Sequence, residues 1–244
     1  MGHRLGLVSV SFRGNTPREI LEAMKQQGLS LIEWGSDVHA PPEKAGEIAA
    51  LTREYGAVCC SYGTYFRLGV TPLSELTRYI AAAEQLGTNI LRLWCGNKNG
   101  DEYTAAEETA LLDECRTAAA IAEQHGVVLC MECHRDTFTN DKACALRLMT
   151  AVNSPHFKMY WQPSAYRTAE ENGRYAALLA PYVMHVHVFH WKGEKKLPLG
   201  EAIDEWRGYL RRLGGEHTLL LEFMPDGQLN TLKSETAALK EIAQ

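Results

Sequence analysis

The sequence predicts an α/β protein that folds as a single (β/α)8 barrel, the TIM barrel. Eight short apolar runs recur along the chain, amphipathic segments lie between them, and this unit repeats at intervals of about 25 to 38 residues, the length of a βα unit. The 244 residues are close to the usual length of such a barrel. A doubly wound sheet would need a cofactor fingerprint, and neither G-x-G-x-x-G nor G-x-x-x-x-G-K-[ST] follows any of the runs. We therefore expect residues 1–244 to form one domain.

The eight apolar runs predict the strands of the barrel. They are nearly continuous rather than alternating, which is typical of strands buried on both faces of a parallel sheet. In chain order the predicted strands are LGLVSV from Leu5, LIEW from Leu31, AVCCSY from Ala57, ILRLW from Ile90, VVLCME from Val127, FKMYW from Phe157, VMHVHVF from Val183 and TLLLEF from Thr218.

Start and stop signals delimit the helices between these strands. Thr16 and Thr71 each precede a proline, which predicts an N-cap followed by proline at the first helical position. Thr104 and Thr168 are each followed three residues later by glutamate, the spacing of a capping box. Glycines that predict left-handed C-caps end the helical patterns at Gly28, Gly56, Gly87, Gly126 and the pair Gly214 and Gly215.

Charge and hydropathy exclude several classes of function. The 25 Lys and Arg against 30 Asp and Glu give a formal charge of -5, so the chain lacks the broad basic surface that binds nucleic acid. No apolar run reaches the roughly 18 to 20 residues that cross a bilayer, and no signal-peptide core forms near the N-terminus. We expect a cytoplasmic protein without nucleic-acid or membrane partners. The seven cysteines are an odd number within apolar runs, which indicates core residues rather than a disulfide scaffold.

Polar side chains stand at the C-terminal ends of four predicted strands, where the active site of a TIM barrel lies. Glu132 ends the fifth strand, Gln162 follows the sixth, His187 is in the seventh and Glu222 ends the eighth. Two carboxylates, an imidazole and an amide oxygen suit one divalent metal ion, Mn2+, Co2+, Zn2+ or Mg2+. The alternative explanation is that each buried glutamate pairs with an arginine at a strand end or caps a neighbouring loop.

This order of residues resembles the xylose isomerase-like barrel superfamily, most closely its sugar phosphate isomerase/epimerase branch, over essentially the whole chain. The resemblance implies that Glu132, Gln162, His187 and Glu222 hold the metal. It also implies that Glu132 and Glu222 act as base and acid, moving a proton next to a carbonyl through an enediolate. Gln162 departs from the usual aspartate, and His190 stands where an aspartate often closes the motif of strand seven. An amide removes one negative charge from the ligand set, so a weakened metal site and a lost one both stay open.

Side chains near the strand ends are expected to contact the substrate, with a role in barrel packing as the alternative for each. They are Trp34, His39, Tyr62, Tyr65, Trp94, His134, His185 and His190. We therefore predict a metal-dependent isomerase or epimerase of a sugar or sugar phosphate. A keto-sugar lyase on the same site is one alternative, and a catalytically silent sugar-binding barrel without metal is another. Members of the family often pair, so the resemblance also implies a homo-oligomer.

Overall fold

Eight parallel strands close into a barrel in the computed structural model, which describes residues 2–244. Each strand pairs with its neighbours and the last pairs with the first, placing Gly6 opposite Leu220. The predicted (β/α)8 barrel is thereby confirmed. The strands are β1 (Arg4–Val8), β2 (Leu31–Gly35), β3 (Val58–Leu68), β4 (Ile90–Cys95), β5 (Val128–Glu132), β6 (Phe157–Trp161), β7 (Val183–Val188), the two hairpin strands β8 (Trp191–Lys192) and β9 (Lys195–Lys196), and β10 (Thr218–Leu221), which completes the barrel.

One α-helix follows each barrel strand and covers its outer face. The helices are α1 (Pro17–Gln27), α2 (Ala45–Glu54), α3 (Leu76–Leu86), α4 (Ala105–Gln124), α5 (Lys142–Val152), α6 (Ala169–Leu179), α7 (Ile203–Leu213) and α8 (Leu232–Ile242). The capping boxes predicted at Thr16, Thr104 and Thr168 are confirmed. Gly28 and Gly87 end α1 and α3 in the left-handed conformation, as predicted.

The predicted N-cap at Thr71 is wrong. A 3₁₀ turn over Leu73–Glu75 separates this threonine from α3, which begins at Leu76. The Thr71 hydroxyl accepts instead from the backbone N–H of Arg67 at 3.1 Å. Thr71 therefore stabilises the turn that ends β3, because a short polar side chain serves a turn as readily as a helix start.

The barrel interior is filled by a small apolar cluster drawn from alternate positions of the strands. Its buried members are Val8, Val10, Leu31, Cys60, Cys130, Tyr160 and Leu220. Side chains two residues apart on a strand point to the same side. Glu132 therefore follows Cys130 on the inner face of β5, and Glu222 follows Leu220 beyond β10. The apolar cluster thus forms the floor beneath the polar side chains at the barrel mouth.

A short hairpin of β8 and β9 lies beside the mouth of the barrel and was not anticipated from the sequence. Trp191 pairs with Lys196, and the N–H of Gly193 at its turn donates to the carbonyl of Ala165 in the loop after β6. The hairpin thereby joins the loops after β6 and β7. In the part of the chain that the structure describes, no helix is both long and apolar enough to cross a membrane.

Candidate active site

Three buried side chains meet at the barrel mouth, with their ligand atoms all within 4.8 Å of one another: Glu132, His187 and Glu222. His187 Nδ1 lies 3.6 Å from Glu132 Oε1 and 3.3 Å from Glu222 Oε2. Gln162 follows β6 directly, and its Oε1 lies 3.0 Å from the same nitrogen. Its Nε2 donates to the carbonyl of Cys133 at 2.9 Å, which fixes the amide. The structure thus brings the four predicted ligand residues to one point.

A further buried carboxylate, Glu33 in β2, lies on the other side of the His187 ring, and the sequence prediction assigned it no role. Glu33 Oε1 is 3.5 Å from His187 Nε2. Its Oε2 accepts from the Ser61 hydroxyl at 2.6 Å, and that hydroxyl accepts from Tyr160 at 2.6 Å. The sequence signal was present: a glutamate inside the apolar run LIEW, two residues after the inward-facing Leu31.

Arg92 in β4 links two of the buried carboxylates. Its Nη1 donates to Glu132 Oε2 at 2.8 Å, and its Nε donates to Glu33 Oε1 at 3.3 Å. Trp94 Nε1 donates to the same Glu132 oxygen at 2.6 Å. An arginine partner, one of the two explanations offered for the buried glutamates, is therefore present for Glu132. The other oxygen of Glu132 remains directed at His187.

The charges of this cluster stabilise one another. Burial alone would raise the pKa of the Glu33 carboxyl, but His187, Arg92 and the Ser61 hydroxyl lower that pKa to about 2. Burial likewise opposes ionisation of Glu132, and the positive charges of Arg92 and His187 hold its pKa below the usual range. Burial disfavours a charged imidazole, yet the carboxylates of Glu222 and Glu33 raise the pKa of His187 well above its ordinary value.

Carboxylates outnumber permanent cations in the cluster. Glu33, Glu132 and Glu222 supply three negative charges and Arg92 supplies one positive charge, so two negative charges remain to be balanced when His187 is neutral, as a metal ligand must be. Among residues 2–244, Glu222 contacts no arginine or lysine within 4.0 Å, and its Oε2 has no hydrogen-bond partner. A divalent cation next to Glu222 and Glu132 would balance the two charges.

The spacing of the donor atoms also fits a metal ion. Ligands held about 2.1 Å from a cation at tetrahedral or octahedral angles lie roughly 3.0 to 3.4 Å apart. The Gln162 and Glu222 oxygens lie within this range of His187 Nδ1, at 3.0 and 3.3 Å, and Glu132 Oε1 lies slightly beyond it, at 3.6 Å. Two carboxylate oxygens, one imidazole nitrogen and one amide oxygen suit Mn2+, Co2+, Zn2+ or Mg2+. The residues present therefore fit a divalent metal ion.

A cavity of about 250 Å³ opens above these side chains. Aromatic pairs form parts of its wall, with Tyr65 and Trp94 on one side, 5.0 Å between ring centroids, and Trp191 and Phe223 on another, 4.8 Å apart. Phe223 follows Glu222 directly and has a φ of 58°, the left-handed region that aromatic residues rarely adopt. Aromatic walls over a polar floor suit a small polyhydroxylated molecule, since rings stack on the apolar face of a sugar.

Three of the side chains predicted to contact substrate line this cavity: Tyr65, Trp94 and His134. His134 packs on Trp94 with 4.9 Å between ring centroids, and Tyr65 meets Trp94 edge to face. Together they form the wall next to Glu132. Their positions support the predicted contact with substrate.

Two predicted contacts, Trp34 and Tyr62, lie outside the cavity because they are on the outer faces of β2 and β3. Trp34 follows the inward-facing Glu33, so its ring points to α2, where its Nε1 donates to the Thr52 hydroxyl at 3.0 Å. Tyr62 is paired with Trp34 in the sheet, and its hydroxyl donates to the carbonyl of Ala40 at 2.7 Å. These contacts favour the packing role that was the alternative for both.

The predicted histidine contacts are placed differently from one another. His39 is buried between the hydroxyl of Ser9 and the carbonyl of Asn15. His185 lies in the barrel interior near the Cys60 carbonyl, and burial lowers its pKa, which keeps the imidazole neutral. Both positions favour packing. His190 lines a second, smaller cavity next to the main one.

The fold and the buried cluster define a TIM barrel whose mouth can hold a metal ion. A family model described as xylose isomerase-like TIM barrel matches residues 21–242. The chain therefore belongs to the xylose isomerase-like TIM barrel family. No curated protein sequence matches it.

Several solved structures share the fold at low sequence identity. The probable 3-DHS dehydratase AsbF from Bacillus anthracis has a TM-score of 0.79 and 17% identity, covering 97% of this chain and 98% of the other. A xylose isomerase-like TIM barrel protein from Mycobacterium smegmatis in complex with magnesium has a TM-score of 0.73 and 12% identity, covering 98% and 96%. The 3-keto-D-glucoside 4-epimerase YcjR from E. coli has a TM-score of 0.70 and 14% identity, covering 98% of both chains. These similarities establish the fold alone.

Proposed function

We propose that this protein is a divalent-metal-dependent isomerase or epimerase of a sugar or sugar phosphate. The observation that carries the proposal is the meeting of Glu132, His187 and Glu222 beneath an aromatic-walled cavity. An epimerase and a magnesium complex among the similar structures agree with this reading. Glu132, Gln162, His187 and Glu222 would hold the ion, and Tyr65, Trp94 and His134 would contact the sugar.

The bound metal would polarise the carbonyl of a hydroxy-ketone and stabilise the negative charge that develops on its oxygen. Glu132 and Glu222 approach from β5 and from the end of β10, which β6 and β7 separate around the barrel. A substrate between them meets a carboxylate on each side. One carboxylate removes the proton next to the carbonyl and the other returns a proton. Return on the opposite face gives an epimer, and return to the neighbouring carbon gives an isomer.

The surrounding residues position these two carboxylates for proton transfer. Arg92 and Trp94 both donate to Glu132 Oε2, which leaves Oε1 facing the cluster. Trp94 also closes one wall of the cavity, so that bulk water is kept from that side of Glu132. Glu222 Oε2 is buried without a hydrogen bond from the residues that the structure covers, and is free for a proton or a metal.

A keto-sugar lyase is the second candidate, favoured by the dehydratase among the similar structures. The same proton removal leads to elimination when the substrate carries a leaving hydroxyl one carbon further on. The two reactions therefore share Glu132 and Glu222 and differ in what happens to the substrate after deprotonation.

Metal analysis and solvent-deuterium exchange test the proposal. Purified protein should contain near-stoichiometric divalent metal, bind Mn2+ after chelator treatment, and introduce deuterium into a keto-sugar in D2O. Glu222→Gln should weaken Mn2+ binding at least about tenfold, because it removes a charged ligand, and should abolish the exchange. Glu235→Gln is the matched control, since Glu235 is a buried carboxylate that accepts from the Leu199 N–H away from the cavity.

The outcomes separate the three readings. Deuterium retained in an intact sugar supports the isomerase or epimerase, and an unsaturated product assigns the lyase. If the wild-type protein binds no Mn2+, the result favours the third alternative, a catalytically silent sugar-binding barrel. Turnover by rigorously metal-free protein would contradict the metal-dependent reaction.

A further inference from the structure

Four arginines line the main cavity, and three of them are matched by carboxylates. Arg13 Nη1 lies 2.5 Å from Asp37 Oδ2, and Arg92 pairs with Glu33 and Glu132. The side chain of Arg135 lies 3.7 Å from carboxylate oxygens of both Asp136 and Glu194. The fourth, Arg167 in the loop after β6, has no carboxylate within 4.0 Å among residues 2–244.

Arg167 is half-buried and held in place by neutral groups. Its Nη2 donates to the carbonyl of Asn140 at 2.7 Å, and its guanidinium lies 5.5 Å from the ring centroid of Tyr175. Two acidic groups that respond to its charge, Asp141 and Glu171, have other partners. Asp141 accepts from two N–H groups at the start of α5, and Glu171 closes the capping box of α6. A half-buried guanidinium whose remaining donors are not matched by an acid favours an anionic ligand.

A smaller cavity of about 210 Å³ adjoins the main one, and Arg167 and Trp191 line both. Two of its lining residues, Trp191 and His190, each have a buried ring nitrogen without a hydrogen-bond partner in the part of the chain described. Lys192 lines it as a second cation. Its one carboxylate, Glu205, accepts from the Tyr209 hydroxyl at 2.5 Å. Arg167 and Lys192 therefore give the smaller cavity two positive charges against the single carboxylate of Glu205.

From this juxtaposition we propose that the substrate carries an acidic group, a carboxylate or a phosphate, bound by Arg167 at the junction of the two cavities. The inference rests on the proposed function and specifies its substrate class. The reacting end of the molecule lies over Glu132 and Glu222, and the acidic end lies at Arg167. Lys192 supplies a second positive charge on the side of the smaller cavity.

Calorimetric titration with three matched polyols tests the inference. D-Gluconate, D-glucitol 6-phosphate and D-glucitol share a six-carbon chain and differ in the acidic group. The wild-type protein should bind at least one of the two acids about tenfold or more tightly than glucitol, the scale of a charge-assisted hydrogen bond. The tighter acid then assigns the group as carboxylate or phosphate.

Substitutions at Arg167 locate the preference. Arg167→Gln should reduce the affinity ratio of the acid to glucitol to about twofold or less. Arg167→Lys should keep part of this ratio, because lysine retains the positive charge but lacks the planar guanidinium that forms two parallel hydrogen bonds. Arg174→Gln is the matched control, since Arg174 is exposed in α6, pairs with Glu170 and lines neither cavity. The control should leave the preference unchanged.

Equal or undetectable binding of acids and glucitol overturns the inference, and so does a preference that persists in Arg167→Gln, which would show that the acid binds at another group. The titrations are done on chelator-treated protein, and Mn2+ binding is measured separately on the same variants. If the wild-type protein binds Mn2+ but does not prefer the acids, only the inference of an acidic substrate is overturned. An acid preference without Mn2+ binding overturns only the metal-dependent reaction.

Discussion

At the scale of single residues, Glu33 determines how His187 can act. Its Oε1 lies 3.5 Å from His187 Nε2, while Nδ1 on the opposite side of the ring faces Glu132, Gln162 and Glu222. A carboxylate behind a ligating histidine fixes the ring and makes the other nitrogen a better donor to a metal. Ser61 holds the second oxygen of Glu33, so the carboxylate is itself held in place.

We expect Glu33→Gln to weaken Mn2+ binding roughly 10- to 100-fold, the usual cost of removing such a partner. The glutamine keeps the size of the side chain and removes only its charge, and Arg92 retains Glu132 as its partner. Titration of chelator-treated protein with Mn2+, followed by electron paramagnetic resonance, measures the change. The Glu235→Gln control should bind as the wild type does. An unchanged affinity in Glu33→Gln would mean that Glu33 only fills the barrel interior.

The residues of the candidate site could be predicted from the sequence unequally. Glu132 and Glu222 stand at the ends of strands, where the alternation of side chains alone places them at the barrel mouth. Glu33 lies deeper in a strand and acts on His187 across the barrel, since β1 and β10 separate β2 from β7. A single sequence indicates which side chains point inward, but not which of them meet across the interior.

At the scale of elements, β3 shapes the site because it passes close to the ion pair of Glu33 and Arg92. The prediction ended this strand at Tyr62, whereas the structure continues it to Leu68. Its pairing with β2 shifts after Ile32, and its pairing with β4 shifts between Gly63 and Arg67. Such irregularities place extra residues in a strand and depend on its neighbours, so periodicity within one strand does not reveal them.

Gly63 is the residue at which β3 passes the ion pair of Glu33 and Arg92. A Cβ atom there would lie 2.7 Å from Glu33 Oε1 and 2.9 Å from Arg92 Nη2. We expect Gly63→Ala to displace this ion pair, to lower the free energy of unfolding by about 1 to 3 kcal/mol, and to weaken Mn2+ binding. Urea denaturation and Mn2+ titration measure the two effects.

Gly46→Ala provides the control for that substitution. Gly46 lies in α2, and its added Cβ would meet only the end of the Gln85 side chain at 3.3 Å. Alanine in a helix should leave stability unchanged or raise it by up to about 1 kcal/mol. Wild-type stability and metal affinity in Gly63→Ala would show that Glu33 and Arg92 can shift without cost.

At the scale of the whole molecule, the barrel closes around a surplus of negative charge. The ligands of the candidate metal site come from β5, β7 and the segments after β6 and β10, so one ion would tie together four consecutive units of the barrel. An ion that binds only when these units are assembled stabilises the folded state of the entire chain. Metal occupancy and global stability should therefore change together.

We expect Mn2+ at about 100 times its dissociation constant to raise the Tm of chelator-treated protein by about 5 to 10 °C. This corresponds to about 2.7 kcal/mol of linkage free energy, with roughly 2 to 4 °C per kcal/mol in a chain of this size. Differential scanning calorimetry with and without Mn2+ measures the shift. Glu222→Gln should lose most of it at the same Mn2+ concentration, whereas Glu235→Gln should retain it. An equal shift in both variants would place Mn2+ binding elsewhere on the molecule, because Glu222, unlike Glu235, contributes an oxygen to the cluster around His187.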